Sequence, residues 1–149
     1  MSTPYDQQWE ADVSQYYDLG DRTLWNPSNG ASRLFMSQVI VYEAEVGLPS
    51  GIGPMEADEC QIDPIAFAAF VDALLAWHGE TRHAVMATLS EGFVATVLAL
   101  AEIANIEVSW QAAMRNESHY LKTTSDPDAK EWTAALQQQS RELVRHMAP

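Results

Sequence analysis

Between Phe93 and Ala104 the chain is apolar on nearly every side of a helix. A helix of that kind has to be enclosed by other elements, because no face of it suits water. Val85, Leu89, Phe93, Val97, Leu100 or Ala101, and Ala104 mark inward positions of a helix over about 82–104. Gly92 lies inside it, at a cost of about 1 kcal/mol relative to alanine. Close packing against a neighbour would account for that glycine, and a kink beside a pocket is the alternative.

The enclosing elements are legible on both sides. Phe35, Val39, Tyr42 and Val46 recur at spacings of 4, 3 and 4, widened by Leu34, Met36, Ile40 and Val41. This predicts a helix over about 31–46, ended by Gly47 with Pro49 close behind. Residues 47–54 are too rich in Gly and Pro to be other than loop. Asp63 then supplies an acceptor for free first-turn amides, and Pro64 suits the first helical position. Phe67, Phe70, Val71, Leu74, Leu75 and His78 form one face of the helix that follows, with Gly79 as its stop. Trp110, Ala113, Met114, Glu117 and Leu121 predict a shorter helix near 109–121. Asp126-Pro127 repeats the start signal, and Trp132, Leu136, Leu143 and Met147 give a last helix a narrow stripe, with Gln137, Gln138 and Gln139 mostly facing water.

The first 30 residues read two ways. Tyr5, Trp9, Val13 and Tyr16 have helical spacing. Tyr16–Leu19 and Arg22–Trp25, joined by Gly20-Asp21, instead form a hairpin, since glycine at the first turn position suits a type II′ turn. We read a helix to about residue 14 and then the hairpin, with 5–25 the ambiguous stretch. At 149 residues the chain suits one domain. The expected fold is mainly α: a single-domain helical bundle of about five helices with a short N-terminal β-hairpin.

Composition narrows the partners. The net charge is −13, and a chain this short of Lys and Arg is not built to neutralise nucleic-acid phosphates or bind anionic membranes. Cys60 is the only cysteine, so no internal disulfide supports a secreted fold. No signal peptide is readable at Met1–Asp6, and the longest apolar stretch, Phe93–Ala101, falls short of the ~20 residues of a membrane span. These features predict a cytoplasmic protein. The charge is also uneven: residues 1–63 hold 11 acids and 2 bases, and residues 64–149 hold 10 acids and 6 bases. A concentrated field of one sign steers oppositely charged partners, although solubility alone would also explain it.

Gly20-Asp-Arg-Thr-Leu-Trp-Asn-Pro-Ser-Asn29, Val46-Gly-Leu-Pro-Ser-Gly-Ile-Gly53, Asp58-Glu59 and Phe67-x-x-Phe70-Val-Asp72 together resemble a family of small actinobacterial proteins of unknown function. The resemblance covers roughly residues 15–104. It implies an actinobacterial, cytoplasmic setting and assigns no catalytic residue.

Four groups of residues are weighed as sites. Leu24–Gly30, with Trp25 and Asn26, sets an aromatic ring beside amides at a helix start, where caps and turns are the plain explanation. Glu56, Asp58, Glu59 and Asp63 could meet a basic partner or a hard cation, but lack the alternating order of a calcium loop. His78 and Glu80-x-x-His83 have the spacing of one half of a di-iron site, without the second half such sites require. Cys60 beside Glu59 should be a poor thiolate. No Gly-x-Ser-x-Gly elbow or dinucleotide glycine pattern is present, and we expect neither cofactor nor metal.

The first expectation is an acidic, non-enzymatic binding protein that engages a basic protein partner, immunity- or antitoxin-like. Asp58 and Glu59 would steer it, and Tyr16, Tyr17 and Trp25 would anchor it. The alternative is a small enzyme or small-molecule-binding protein of specialised metabolism with a pocket between the helices, using Trp25, Asn26, His78 and His83. A homodimer through the apolar stripes is compatible with both.

Overall fold

Turn chemistry sets the entry to the fold. In the computed structural model, which describes residues 14–81, 83–110 and 129–148, strand β1 (Tyr16–Leu19) and strand β2 (Arg22–Trp25) pair antiparallel with Leu19 opposite Arg22. Gly20 takes φ +61° and Asp21 does not take a positive φ, as the expected type II′ turn requires. A bulge between Tyr17 and Asp18 brings Tyr17 opposite Trp25.

A third strand, β3 (Glu59–Gln61), runs parallel to β1, which is therefore central in the order β2-β1-β3. It is the return arm of a tight hairpin: Glu56 and Glu59 exchange both backbone hydrogen bonds, at 2.8 and 3.0 Å. Ala57 and Asp58 between them both have positive φ, 51° and 65°. Alanine has no side chain to compensate that conformation, which costs about 1–2 kcal/mol. Ala57→Gly should therefore raise the melting temperature by a few degrees in a thermal denaturation scan. An unchanged or lower value would show that the turn is not strained there.

Four helices are seen among the described residues, rather than about five. They are α1 (Asn29–Val46), α2 (Pro64–Glu80), α3 (Ala84–Ile103) and α4 (Ala129–Met147). The helices expected up to about residue 14 and over about 109–121 fall almost wholly outside the described residues. Ser28 caps α1 through Ala31 N, and Gly47 closes it at φ +74°. Asp63 Oδ1 accepts from Ile65 N at 3.1 Å, with Pro64 in the first turn. Gly79 does not stop α2; it lies buried within the last turn, and Thr81 is the C-cap.

Helix α3 is the centre, as its composition demands. Phe93, Val94, Ala95, Val97 and every residue from Leu98 to Ala101 are buried, covered by α2, α4 and β2 and by the rings of α1. Two expected inward positions are corrected: Val85 and Leu89 are 58% and 72% exposed, so the enclosed part of the helix starts at Ser90. Gly92 is exposed, and among the described residues no atom stands within 4 Å of where its Cβ would be. Neither close packing nor a pocket explains it. By length and composition alone α3 could cross a membrane, with mean hydropathy 1.8 over its best window. The stretch Phe93–Ala101 understated that length. Half of the window is buried inside the protein, which a core helix also satisfies.

An aromatic chain ties the sheet to the helices. Trp25 lies 5.0 Å from Tyr17 and 5.3 Å from Phe35, Phe35 stacks on Phe93 at 5.5 Å, and Phe93 stacks on Tyr42 at 4.4 Å. Tyr42 then meets Trp77 edge-on at 5.6 Å. Such pairs contribute about 0.5–1.5 kcal/mol each beyond the area they bury.

Candidate functional site

Alternation along a strand decides which sequence candidates reach the surface. Tyr17 and Cys60, register partners on β1 and β3, point inward and are 0% and 2% exposed. Tyr17 is thus a core residue and not a surface anchor. Its hydroxyl is 2.8 Å from Ser32 Oγ, and burial pushes its pKa up to about 12, against a smaller lowering by that hydrogen bond. The Cys60 thiol is also pushed up to about 12, by burial first and then by the nearby Asp18 charge. The poor thiolate expected of Cys60 has that origin, with Asp18 and not Glu59 as the neighbour that matters.

On the outer face the same register sets Tyr16 beside Glu59 and Asp18 beside Gln61. Tyr16 is 39% exposed, and its N–H donates to the Asp58 carbonyl at 2.8 Å. Asp18 Oδ1 accepts from the Thr23 hydroxyl at 2.7 Å. The fold thereby gathers Tyr16, Asp58 and Glu59, joined by Asp18 and by Glu56 at the foot of the turn. Nothing local in the sequence marks Asp18 or Gln61, because the pairing of β1 with β3 spans about forty positions.

The other candidates lie in different surroundings. Trp25 is half-buried in the aromatic chain, and Asn26 beside it is exposed. Nearby, Asn29 Oδ1 is buried without a hydrogen-bond partner among the described residues. It borders a shallow groove of about 480 Å³ along α1 that includes Arg33, Met36, Ile40 and Met55. His83 is exposed at the start of α3.

His78 is 3% exposed between α2, α3 and α4. Its Nδ1 is 2.8 Å from Ser90 Oγ, and its ring stacks on Trp132 at 5.5 Å. Burial drives its pKa down from 6.5 to about 4. Ser90 Oγ also lies 2.9 Å from the Met86 carbonyl and 3.3 Å from the Ala87 carbonyl, and in the tautomer that leaves its one proton on a carbonyl, Nδ1–H donates to Ser90. A base that activated Ser90 would need its lone pair there instead. The adjoining cavity, bordered by Thr88, Glu91 and Leu136, is about 110 Å³, room for only a few waters. Among the described residues, no group of three His, Cys, Asp or Glu side chains is placed to hold a metal ion.

Fold and surface together define a small, mainly helical protein whose three-stranded sheet turns an acidic, tyrosine-bearing face outward. The chain belongs to a family of unknown function, DUF6086, whose model matches residues 13–149. The relationship therefore extends well past residue 104, through the last helix. No curated protein and no solved structure matches the chain.

Proposed function

We propose that the protein is a non-enzymatic binding protein that engages a basic protein partner through the outer face of its sheet, in the manner of an immunity protein or antitoxin. The observation that carries this reading is the pairing of Tyr16 with Glu59 on one exposed face, with exposed Glu56 and Asp58 in the adjoining turn and Asp18 on β1 adding charge of the same sign. Residues 14–28 and 54–62 supply Arg22 as their single cation. The acids would accelerate encounter, and Tyr16 would provide the ring that loses water in the complex. A cytoplasmic, actinobacterial setting goes with the same reading. So does self-association, for which Leu34, Ile40 and Val41 lie exposed along α1.

The alternative, a small enzyme or small-molecule-binding protein of specialised metabolism with a pocket between the helices, has weaker support at Trp25, Asn26, His78 and His83. Trp25 joins the aromatic chain, His78 sits against Ser90 and Trp132, and neither Asn26 nor His83 borders the cavity beside His78.

Affinity capture from the native host tests the proposal. Wild type should retain a partner of net positive charge, with retention falling as salt rises. A Tyr16→Ala/Asp58→Asn/Glu59→Lys variant that keeps the wild-type melting curve, asparagine being tolerated at the positive φ of Asp58, should lose at least about tenfold in affinity, roughly 1.4 kcal/mol. A partner held equally well by the variant, or the absence of any basic partner, refutes the proposal.

A further inference from the structure

A second site lies away from the sheet, where the chain leaves α3. The helix ends in a two-bond C-terminal turn: Asn105 N–H donates to the Glu102 carbonyl and Ile106 N–H to the Ala101 carbonyl, at 3.0 and 2.9 Å, with Asn105 at φ +60°. This Schellman closure fixes the direction in which the following residues depart. They continue as a strap without regular structure up to Ser109, tightened by a bond from Trp110 N–H to the Val108 carbonyl at 3.0 Å, and Ile106, Val108 and Trp110 all border one cleft. Asp72 of α2 holds the strap from outside the cleft, its carboxylate accepting from Ser109 N–H at 2.9 Å and from the Ser109 hydroxyl at 3.2 Å.

The cleft has a volume of about 220 Å³, is open to solvent, and is bordered by one turn each of α3 and α4. Leu98 with the three strap residues makes its apolar wall. Glu102, Gln137 and Arg141 make its polar rim. Glu102 and Arg141 are both exposed and form no ion pair with each other or with any described residue. Opposite charges that share a small cleft and leave each other free are complementary to a ligand carrying both charges itself.

We propose that this cleft binds a small zwitterion with an apolar side chain, of the class of free α-amino acids. Arg141 takes the carboxylate, Glu102 takes the ammonium group, and the side chain lies against Trp110 and Val108. The volume is below the about 300–1,000 Å³ of pockets for drug-sized ligands, which suits a molecule of that size. The chain's charge of −13 works against a simple anion, and Arg141 works against a simple cation. A neutral zwitterion avoids both penalties. This site shares no residue with the acidic face, so either proposal can fail without the other.

Calorimetric titration of the full chain with L-phenylalanine, phenethylamine and phenylpropanoate separates the cases, with amide chemical shifts locating any binding. The expected result is binding of L-phenylalanine at least about tenfold tighter than either singly charged analogue. Shifts should concentrate at residues 98–110 and 137–141. Glu102→Gln and Arg141→Gln, exposed positions at which a superposable melting curve verifies the fold, should each weaken binding about tenfold. No binding of L-phenylalanine at millimolar concentration overturns the proposal. Equal binding of the analogues, or variants that bind like wild type, overturns it as well.

Discussion

Replacing Gly51 with alanine is expected to lower the melting temperature by about 6–12 °C, the equivalent of roughly 3 kcal/mol in a chain of this size. Two effects add. Gly51 sits at φ +76°, where an L-residue costs about 1–2 kcal/mol. A Cβ there would also stand 2.6 Å from Phe67 N and 2.7 Å from the Asp63 carbonyl oxygen. Both are main-chain atoms of the first turn of α2, so no side-chain rotation relieves the clash. The approach is close because Asp63 N–H already donates to the Gly51 carbonyl at 2.7 Å, tying the loop to the helix start. Gly47 is the internal control: it has nearly the same φ, +74°, with nothing within 4 Å of its Cβ position among the described residues. Gly47→Ala should cost about 1 kcal/mol, the conformational part alone. If Gly51→Ala melts no lower than Gly47→Ala in the same scan, the contact with α2 is not a constraint on the fold.

Local chemistry made most of the architecture readable. Asp63-Pro64 could only begin a helix well, Gly47 could end one, and Gly20-Asp21 suited a two-residue turn. Each of those signals lies within a few residues of what it controls. Strand β3 left no such signal. Glu59, Cys60 and Gln61 are three residues of weak strand preference, and they pair with residues near position 17. What makes them a strand is a tertiary contact. The phase of α3 was lost for a related reason. A helix apolar on nearly all sides has no preferred face, so the continuation to Val85 and Leu89 could not be placed from spacing. Tyr16 and Tyr17 illustrate the limit for the site. Adjacent residues on a strand point to opposite sides, and the sequence offers two tyrosines without saying which one faces water. The acids at 58 and 59 were visible from composition, whereas their meeting with Tyr16 and Asp18 depends on a parallel pairing that only the fold creates. The cleft beside Trp110 was hidden in the same way, since Glu102 and Arg141 are distant in sequence and come to border one cleft only through the packing of α3 on α4.

Below pH 6.5 the protein should lose stability in a way that traces to His78. In the folded chain this imidazole titrates at about 4 because it is buried, whereas an unfolded histidine titrates near 6.5. Between those values the unfolded chain takes up a proton that the folded chain does not, and the balance shifts towards unfolding as pH falls. The contribution is fully present above 6.5, declines through the interval, and is gone below about 4. It amounts to about 3 kcal/mol in all and about 2 kcal/mol between pH 7 and 5. Glu91 on α3 borders the same cavity, and His83 and His146, exposed among the described residues, are retained in both proteins. Melting curves of wild type and His78→Gln at pH 7 and pH 5 separate the contributions. Wild type should lose about 4–8 °C over that range. The variant will start lower, having lost the fit against Ser90 and Trp132, but should be nearly flat across it. Parallel curves for the two proteins would mean that His78 accepts a proton in the folded state, and that the space between α2, α3 and α4 is open to water.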